Sequence, residues 1–360
     1  MPGPQNLHTQ DHDKKPARLL RDRLRLMFDW YKGMVNKSTG RLLYLYDPEN
    51  DVTIGDGELI RDIAAIWDVE VLSAFLRRDE LCPLILRSLD YFRKLIVERD
   101  AYAIVATRGE QSSIAHSAFL ALALCCSEYP DKIERVVPLV DGILHQQRED
   151  GSYKIFFDAK PDSGEELYPA EAMLSLLEAY RLTKDARYLD SVERSFAYYK
   201  RAYYDRGRVQ PDFMVFFANW QSQAGRLLLE TTTKPKVKDL VRAFVFELHD
   251  LVIRSGFYDR VARHPEAQVC VEVACGLEGL ADAYAIATSS RDRRTEDYRR
   301  YVLTALGFLL RAQRTANCTE RERGGFGGSL AIREQRIDVT GHVASGFIKS
   351  VENGIDALSI

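Results

Sequence analysis

The sequence predicts an all-α protein, a closed (α/α)6 barrel (toroid) of about twelve helices that alternate between an outer and an inner ring. Three observations predict it. Apolar residues recur at helical spacing along almost the whole chain. The periodic stretches alternate between charged, amphipathic segments and segments that are apolar on most sides. Connections leading into the apolar segments are long, and those leading out are short.

Residues 1–16 are polar, and they predict a disordered tail rather than a secretory signal. Residues 17–360 read as a single toroid domain, because the elements repeat without a linker. The amphipathic outer helices fall at roughly 17–36, 84–99, 131–147, 186–203, 236–254 and 294–314. The apolar inner ones fall at roughly 58–77, 112–127, 167–182, 213–230, 267–287 and 337–352. IAHSAFLALALCC and VCVEVACGLEGLADAYAIA are of the second kind, and a helix apolar on most sides is surrounded by protein. Neither terminal pair carries the polar face of a solenoid cap, so closure is preferred to an open superhelix.

The composition excludes several classes. With 50 basic against 53 acidic residues and a net charge of −3, the chain lacks the basic face of a nucleic-acid binder. No run reaches the roughly 20 apolar residues of a membrane span. The six cysteines form no CxxC pair. They predict a reduced, soluble, cytoplasmic protein, with Cys275 a packing residue.

All the long connections, 37–57, 100–111, 148–166, 204–212, 255–266 and 315–336, fall on one end of the ring. That end gathers the N-termini of the inner helices, whose free N–H groups and dipoles favour an anion. The first turns there supply Arg61, Asp62 and Trp67; Glu110, Gln111, Ser113 and His116; and Tyr168 and Glu171. Further round they supply Phe213, Phe216, Phe217, Trp220 and Gln223; Gln268, Glu272 and Cys275; and Arg336, Asp338 and His342. Asp62, Glu171, Glu272 and Asp338 come from four helices, which suits either Mg²⁺ held with a substrate phosphate or an acid/base pair. The plainer role for these acids is pairing with Arg61 and Arg336 across the ring. His116 and His342 are candidate proton carriers, or core histidines bonded to a neighbour. The segment DFMVFFANWQSQ predicts an aromatic wall.

Two glycine turns, QQREDGSYKIFF and QRTANCTERERGGFGGS, read as internal copies of one structure, and neither is a phosphate loop. Together with the helix alternation they resemble the toroids of terpene cyclases and protein prenyltransferases, and most nearly the fungal humulene synthases. That resemblance implies a terpene cyclase, a lyase taking a prenyl diphosphate such as farnesyl diphosphate with Mg²⁺ to a cyclic sesquiterpene. Arg61 and Arg336 would then hold the diphosphate, with Asp62, Glu171, Glu272 and Asp338 on the metal. Tyr168, Phe216, Phe217 and Trp220 would face the carbocation, with Gln223 on the wall. The DDxxD, NSE and DxDD motifs of ordinary cyclases are absent, as is a Cys/His/Asp zinc set of the prenyltransferase kind. A second reading is a sugar epimerase, lyase or hydrolase of the N-acylglucosamine or uronyl epimerase kind. It would use His116, His342, Glu171 and Glu272 as acid and base. YPAEAMLSLLEAYRLTKDARYLD resembles helical pairs of those families. A third is a non-catalytic scaffold, which the inward acids and histidines disfavour.

Overall fold

A computed structural model describes residues 15–55, 58–106 and 112–355. The tail expected at 1–16 lies outside these residues up to position 14, as do Glu110 and Gln111. The inner wall consists of α2 (Leu59–Leu76), α4 (Ile114–Cys126), α6 (Tyr168–Thr183), α8 (Met214–Thr231), α11 (Cys270–Ser290) and α13 (Ile337–Glu352). Each packs against the next, and α13 returns to α2, so the ring closes. Outside it lie α1 (Lys15–Gly33), α3 (Cys82–Arg93), α5 (Lys132–His145), α7 (Ala186–Tyr198), α9 (Pro235–Arg254) and α12 (Thr295–Ala312). The chain is therefore an (α/α)6 toroid, as its periodicity predicts.

Burial explains the two helix types. On α4 every residue from Ile114 to Leu124 is buried, because outer helices cover one side and inner neighbours the others. The outer α7 buries only one stripe, including Tyr188, Val192 and Phe196. Three of the short inner-to-outer turns leave the inner helix through a single left-handed residue: Arg77, Lys184 and Arg291, at φ 55°, 62° and 53°.

The long connections hold more structure than the sequence suggests. One carries α10 (Phe257–Arg263). Others form a hairpin of β3 (Ile96–Glu98) and β4 (Ala103–Val105), and an antiparallel sheet in the order β2 (Val52–Ile54), β1 (Leu45–Asp47), β5 (Gln335–Arg336). Strands of two or three residues are too short to show alternation, so they read as loops. The sheet pairs Leu45 with Arg336 and so fixes that arginine at the mouth of the ring.

The two glycine turns are indeed built alike. Each closes on an antiparallel bridge, Gln147 with Tyr153 and Gln313 with Phe326. In each, a glutamine amide reaches the next outer helix: Gln147 Nε2 donates to the Ser191 carbonyl (2.9 Å), Gln313 Nε2 to that of Arg23 (3.0 Å). In each, a glycine at positive φ lies against that helix's backbone. A Cβ on Gly151 (φ +93°) would sit 2.8 Å from the Arg194 carbonyl oxygen, and one on Gly324 (φ +101°) 2.0 Å from that of Leu26. Side chains avoid such φ values, and a backbone carbonyl cannot move aside. Gly324→Ala is therefore expected to cost on the order of 3 kcal/mol, read as a lowered urea midpoint with an unchanged slope.

Candidate active site

The ring encloses a cavity of about 280 Å³ at the N-terminal end of the inner helices. Its rim carries Arg61 and Ile60 from the start of α2, Tyr168 from α6, Phe213 just before α8 and Phe216 within it, Val271 from α11, Arg336 from β5 and Asp338 from α13. Deeper in lie Asp68, Phe119, Glu171, Trp220, Glu278 and His342. Helical spacing connects the two levels: Arg61, Ala64 and Asp68 share one face of α2, and Asp338 and His342 share one of α13.

At the rim, Asp338 is shared by two arginines. Arg61 Nε lies 3.1 Å from its Oδ2, and Arg336 Nε donates to its Oδ1 at 3.0 Å, with a second Arg336 contact to Oδ2. Arg61 also pairs with Glu58 at 2.7 Å. Both guanidinium groups stand over the Tyr44 ring, at 5.7 and 5.5 Å from its centre.

In the interior, Glu278 binds His342. His342 Nδ1 lies 2.9 Å from Glu278 Oε2, to which Asn219 Nδ2 also donates at 2.9 Å. Lys349 Nζ stands 3.8 Å from Oε1, while bridging to Asp282 at 2.6 Å. Burial resists a charge on Glu278, but the Lys349 ammonium and the His342 imidazolium outweigh it and hold this acid at about 2. Burial also resists the imidazolium, and the Cys275 and Glu278 side chains raise His342 well above the ordinary histidine value.

Two other acids behave in the opposite way. Glu171 is 4 % exposed, and its Oε2 has no hydrogen-bond partner. Burial raises it to about 8, with only His342 pulling the other way. Asp68 is half-buried and lines the cavity. It packs flat against α13, where a Cβ on Gly341 would fall 1.9 Å from its Oδ2. Burial raises it to about 7, partly offset by His342 and reinforced by Glu278 and Asp338. These two carboxyl groups reach the cavity from α2 and α6, which α4 separates.

The remaining wall is aromatic. Trp220 meets the His342 ring edge-on at 5.8 Å, Phe119 packs on Trp220 at 5.8 Å, and Trp67 on Phe119 at 6.2 Å. Pockets that combine apolar walls with a few convergent polar groups are the usual small-molecule sites.

Of the residues singled out in the sequence, Arg61, Trp67, Tyr168, Glu171, Phe213, Phe216, Trp220, Arg336, Asp338 and His342 line this cavity. Five others lie off its wall. Asp62 faces outward and accepts from Arg41 Nε (2.7 Å) and the Leu42 amide (3.2 Å). His116 closes the capping box of α4, its Nδ1 2.8 Å from Ser113 Oγ. Glu272 looks toward Arg260 and Asp212. Phe217 is wedged between the rings against Tyr203, Tyr204 and Phe244. Gln223 points to the far end of the ring and donates to Asn219 at 3.2 Å. Hence the four acids expected around Mg²⁺ do not assemble. Asp68, Phe119 and Glu278 were missed, each lying a turn or more inside the helix starts.

No family model matches the chain, and no curated protein matches it in sequence. Its fold does match solved structures. A sugar epimerase from a ruminal bacterium is 11% identical, with a TM-score of 0.69 over 94% of this chain and 99% of that one. The cellobiose 2-epimerase of Bacillus thermoamylovorans is 11% identical, with a TM-score of 0.69 over 93% and 98%. An α-1,6-mannanase of glycoside hydrolase family 76 from Salegentibacter, in complex with α-1,6-mannotetrose, is 12% identical, with a TM-score of 0.66 over 93% and 99%. At such identity the likeness is one of fold.

These structures are sugar epimerases and glycoside hydrolases, so the terpene-cyclase resemblance, its lyase chemistry and its prenyl diphosphate substrate are overturned. The geometry supplies the reason. Arg61 and Arg336 are already neutralised by Asp338 and Glu58 and leave little positive charge for a diphosphate. Among the described residues, no helix is long and apolar enough to cross a membrane.

Proposed function

We propose that this chain is a sugar epimerase, inverting one carbon of a reducing sugar by proton exchange at the position next to its carbonyl. The observation that carries this reading is Glu171, which lines an aromatic cavity together with Asp68 and has one buried carboxyl oxygen without a hydrogen-bond partner. A buried polar atom without a partner is rare and is best explained by a group it meets in function.

The chemistry follows from the two acids. Epimerisation needs one group to take a proton and another to return one on the opposite face, with the roles exchanged in the reverse direction. Groups titrating near the working pH do this best. Asp68 at about 7 and Glu171 at about 8 are such a pair. Asp68, the more ionised, removes the proton from the carbon beside the carbonyl. Glu171 delivers its own proton to the other face. The charge that develops on the carbonyl oxygen is met by the His342 imidazolium, which Glu278 orients. Trp220 and Phe119 offer flat faces to the sugar ring. Inverting hydrolysis would use the same pair, Asp68 as base toward water and Glu171 as acid toward the leaving oxygen, and differs in leaving every C–H bond intact. The likeness in fold to sugar epimerases and to glycoside hydrolases alike supports a sugar substrate.

Incubation in D₂O with reducing hexoses, N-acetylhexosamines and β-linked disaccharides, followed by proton NMR, tests it. The expected result is a new epimer whose inverted carbon carries deuterium. Shortened sugars without deuterium at carbon would replace this reading with hydrolysis, and no conversion of any sugar would remove it.

A further inference from the structure

We propose that Cys275, Glu278 and His342 bind a divalent late first-row metal ion, zinc foremost, at the inner end of the cavity. One donor atom from each residue lies within 4.8 Å of the other two. Zinc bonds of about 2.0–2.3 Å place the donors of one tetrahedral ion roughly 3–4 Å apart, so a closure of about 1 Å completes the set. The backbone favours that closure. Cys275 and Glu278 are three residues apart on one face of α11. His342 comes from the adjoining α13, which approaches α11 so closely that a Cβ on Gly346 would fall 2.9 Å from Leu277.

Charge and donor type agree. A dication bound by one thiolate, one carboxylate and a neutral imidazole leaves the buried site neutral. The ion takes the place of the hydrogens that link the three side chains, so its uptake releases protons. Glu278 is prepared to bind through one oxygen. Oε1 faces Lys349, whereas Oε2 faces His342 and keeps the Asn219 hydrogen bond, which would orient it. Thiolate and imidazole donors select zinc, cobalt or nickel over magnesium and calcium. Cys275 lies behind the wall, while His342 and Glu278 line the cavity. Three protein donors with a fourth position open to a cavity is the arrangement of a catalytic zinc. That position would take a hydroxyl or carbonyl oxygen, so in the loaded protein the ion would meet the developing charge in place of the His342 imidazolium of the metal-free site. The sequence conceals this set because Cys275 and Glu278 have no second pair nearby, and His342 follows a whole helical pair later.

The test is titration of chelator-treated full-length protein with Co²⁺, read by absorption, and it does not depend on turnover of any sugar. The expected result is one ion per chain with a thiolate-to-cobalt charge-transfer band, displaced by Zn²⁺. Cys275→Ser should abolish the band, while Cys318→Ser, which alters a cysteine on a distant loop, should keep it. His342→Asn, which leaves the thiol in place, should weaken Zn²⁺ binding about 100-fold or more, since even outer contacts to a metal ligand are worth 10- to 100-fold. Absence of saturable uptake, or a band that survives Cys275→Ser, overturns the proposal.

Discussion

Glu171→Gln is expected to lower turnover by about 10²- to 10⁴-fold, the usual worth of a general acid, with little change in KM. The substitution keeps the shape and hydrogen-bonding length of the side chain and removes only the transferable proton. The same variant should alter stability in a direction that an ordinary surface acid would not. Glu171 titrates at about 8 in the fold against 4.5 when exposed, because burial disfavours its charged form. Below pH 4.5 the acid is protonated in both states and has no effect. Between pH 4.5 and 8 only the unfolded chain ionises, so the folded state loses stability as pH rises. Above pH 8 the loss is complete, on the order of 5 kcal/mol. Asp68, raised to about 7 from 3.8, adds to the decline between those two values. Urea unfolding at a series of pH values should therefore show the wild type weakening from acid to neutral pH. Glu171→Gln should be flatter and at least as stable at pH 8. A parallel fall in both proteins, with turnover retained, would assign Glu171 a packing role.

The toroid was legible in the sequence because its cause is repeated many times over. Each inner helix must be apolar on nearly all sides and each outer one on a single stripe, and α4 and α7 show the contrast within 100 residues. The copied glycine turns were legible too, since Gly151 and Gly324 answer the same steric demand. The site was only half legible. The first turns of the inner helices were the right place to look, and they yielded Arg61, Glu171, Asp338 and His342. A first turn presents residues all round its axis, however, and the sequence does not say which of them face inward. Asp62 is next to Arg61 yet faces outward to Arg41. Phe217 is next to Phe216 yet faces the outer ring. The residues missed, Asp68 and Glu278, lie deeper on the same faces, where an acid in an apolar helix reads as an exception rather than as part of a pattern. The aromatic segment of α8 and the gathered helix N-termini both suggested a carbocation and its diphosphate. The ion pairs of Arg61 and Arg336 change that meaning, and they join residues far apart in the chain.

Glu278→Gln is expected to have the largest effect on stability, a loss of about 3–5 kcal/mol at neutral pH. Removing one member of a buried ion pair leaves the other charge without compensation. Glu278 answers two cations, His342 at 2.9 Å and Lys349 at 3.8 Å, and its side chain is 2 % exposed. Lys349 retains Asp282 at 2.6 Å, so the greater share of the loss should fall on His342. A double-mutant cycle separates the two. In a His342→Asn background, Glu278→Gln should cost less by at least about 1.5 kcal/mol, because the cation most dependent on it is gone. In a Lys349→Met background the saving should be smaller. The acid limb gives an independent reading. Glu278 titrates at about 2 in the fold against 4.5 when exposed, so its stabilisation is present above pH 4.5 and is lost as pH falls toward 2. The wild type should therefore weaken over that window, and Glu278→Gln should weaken less, by the share that Glu278 contributes beside other depressed acids such as Asp150 and Glu322. If the single variant unfolds at the wild-type urea concentration and keeps the full acid limb, the Glu278–His342 pair does not hold the inner ring together, and the orientation of His342 must come from elsewhere.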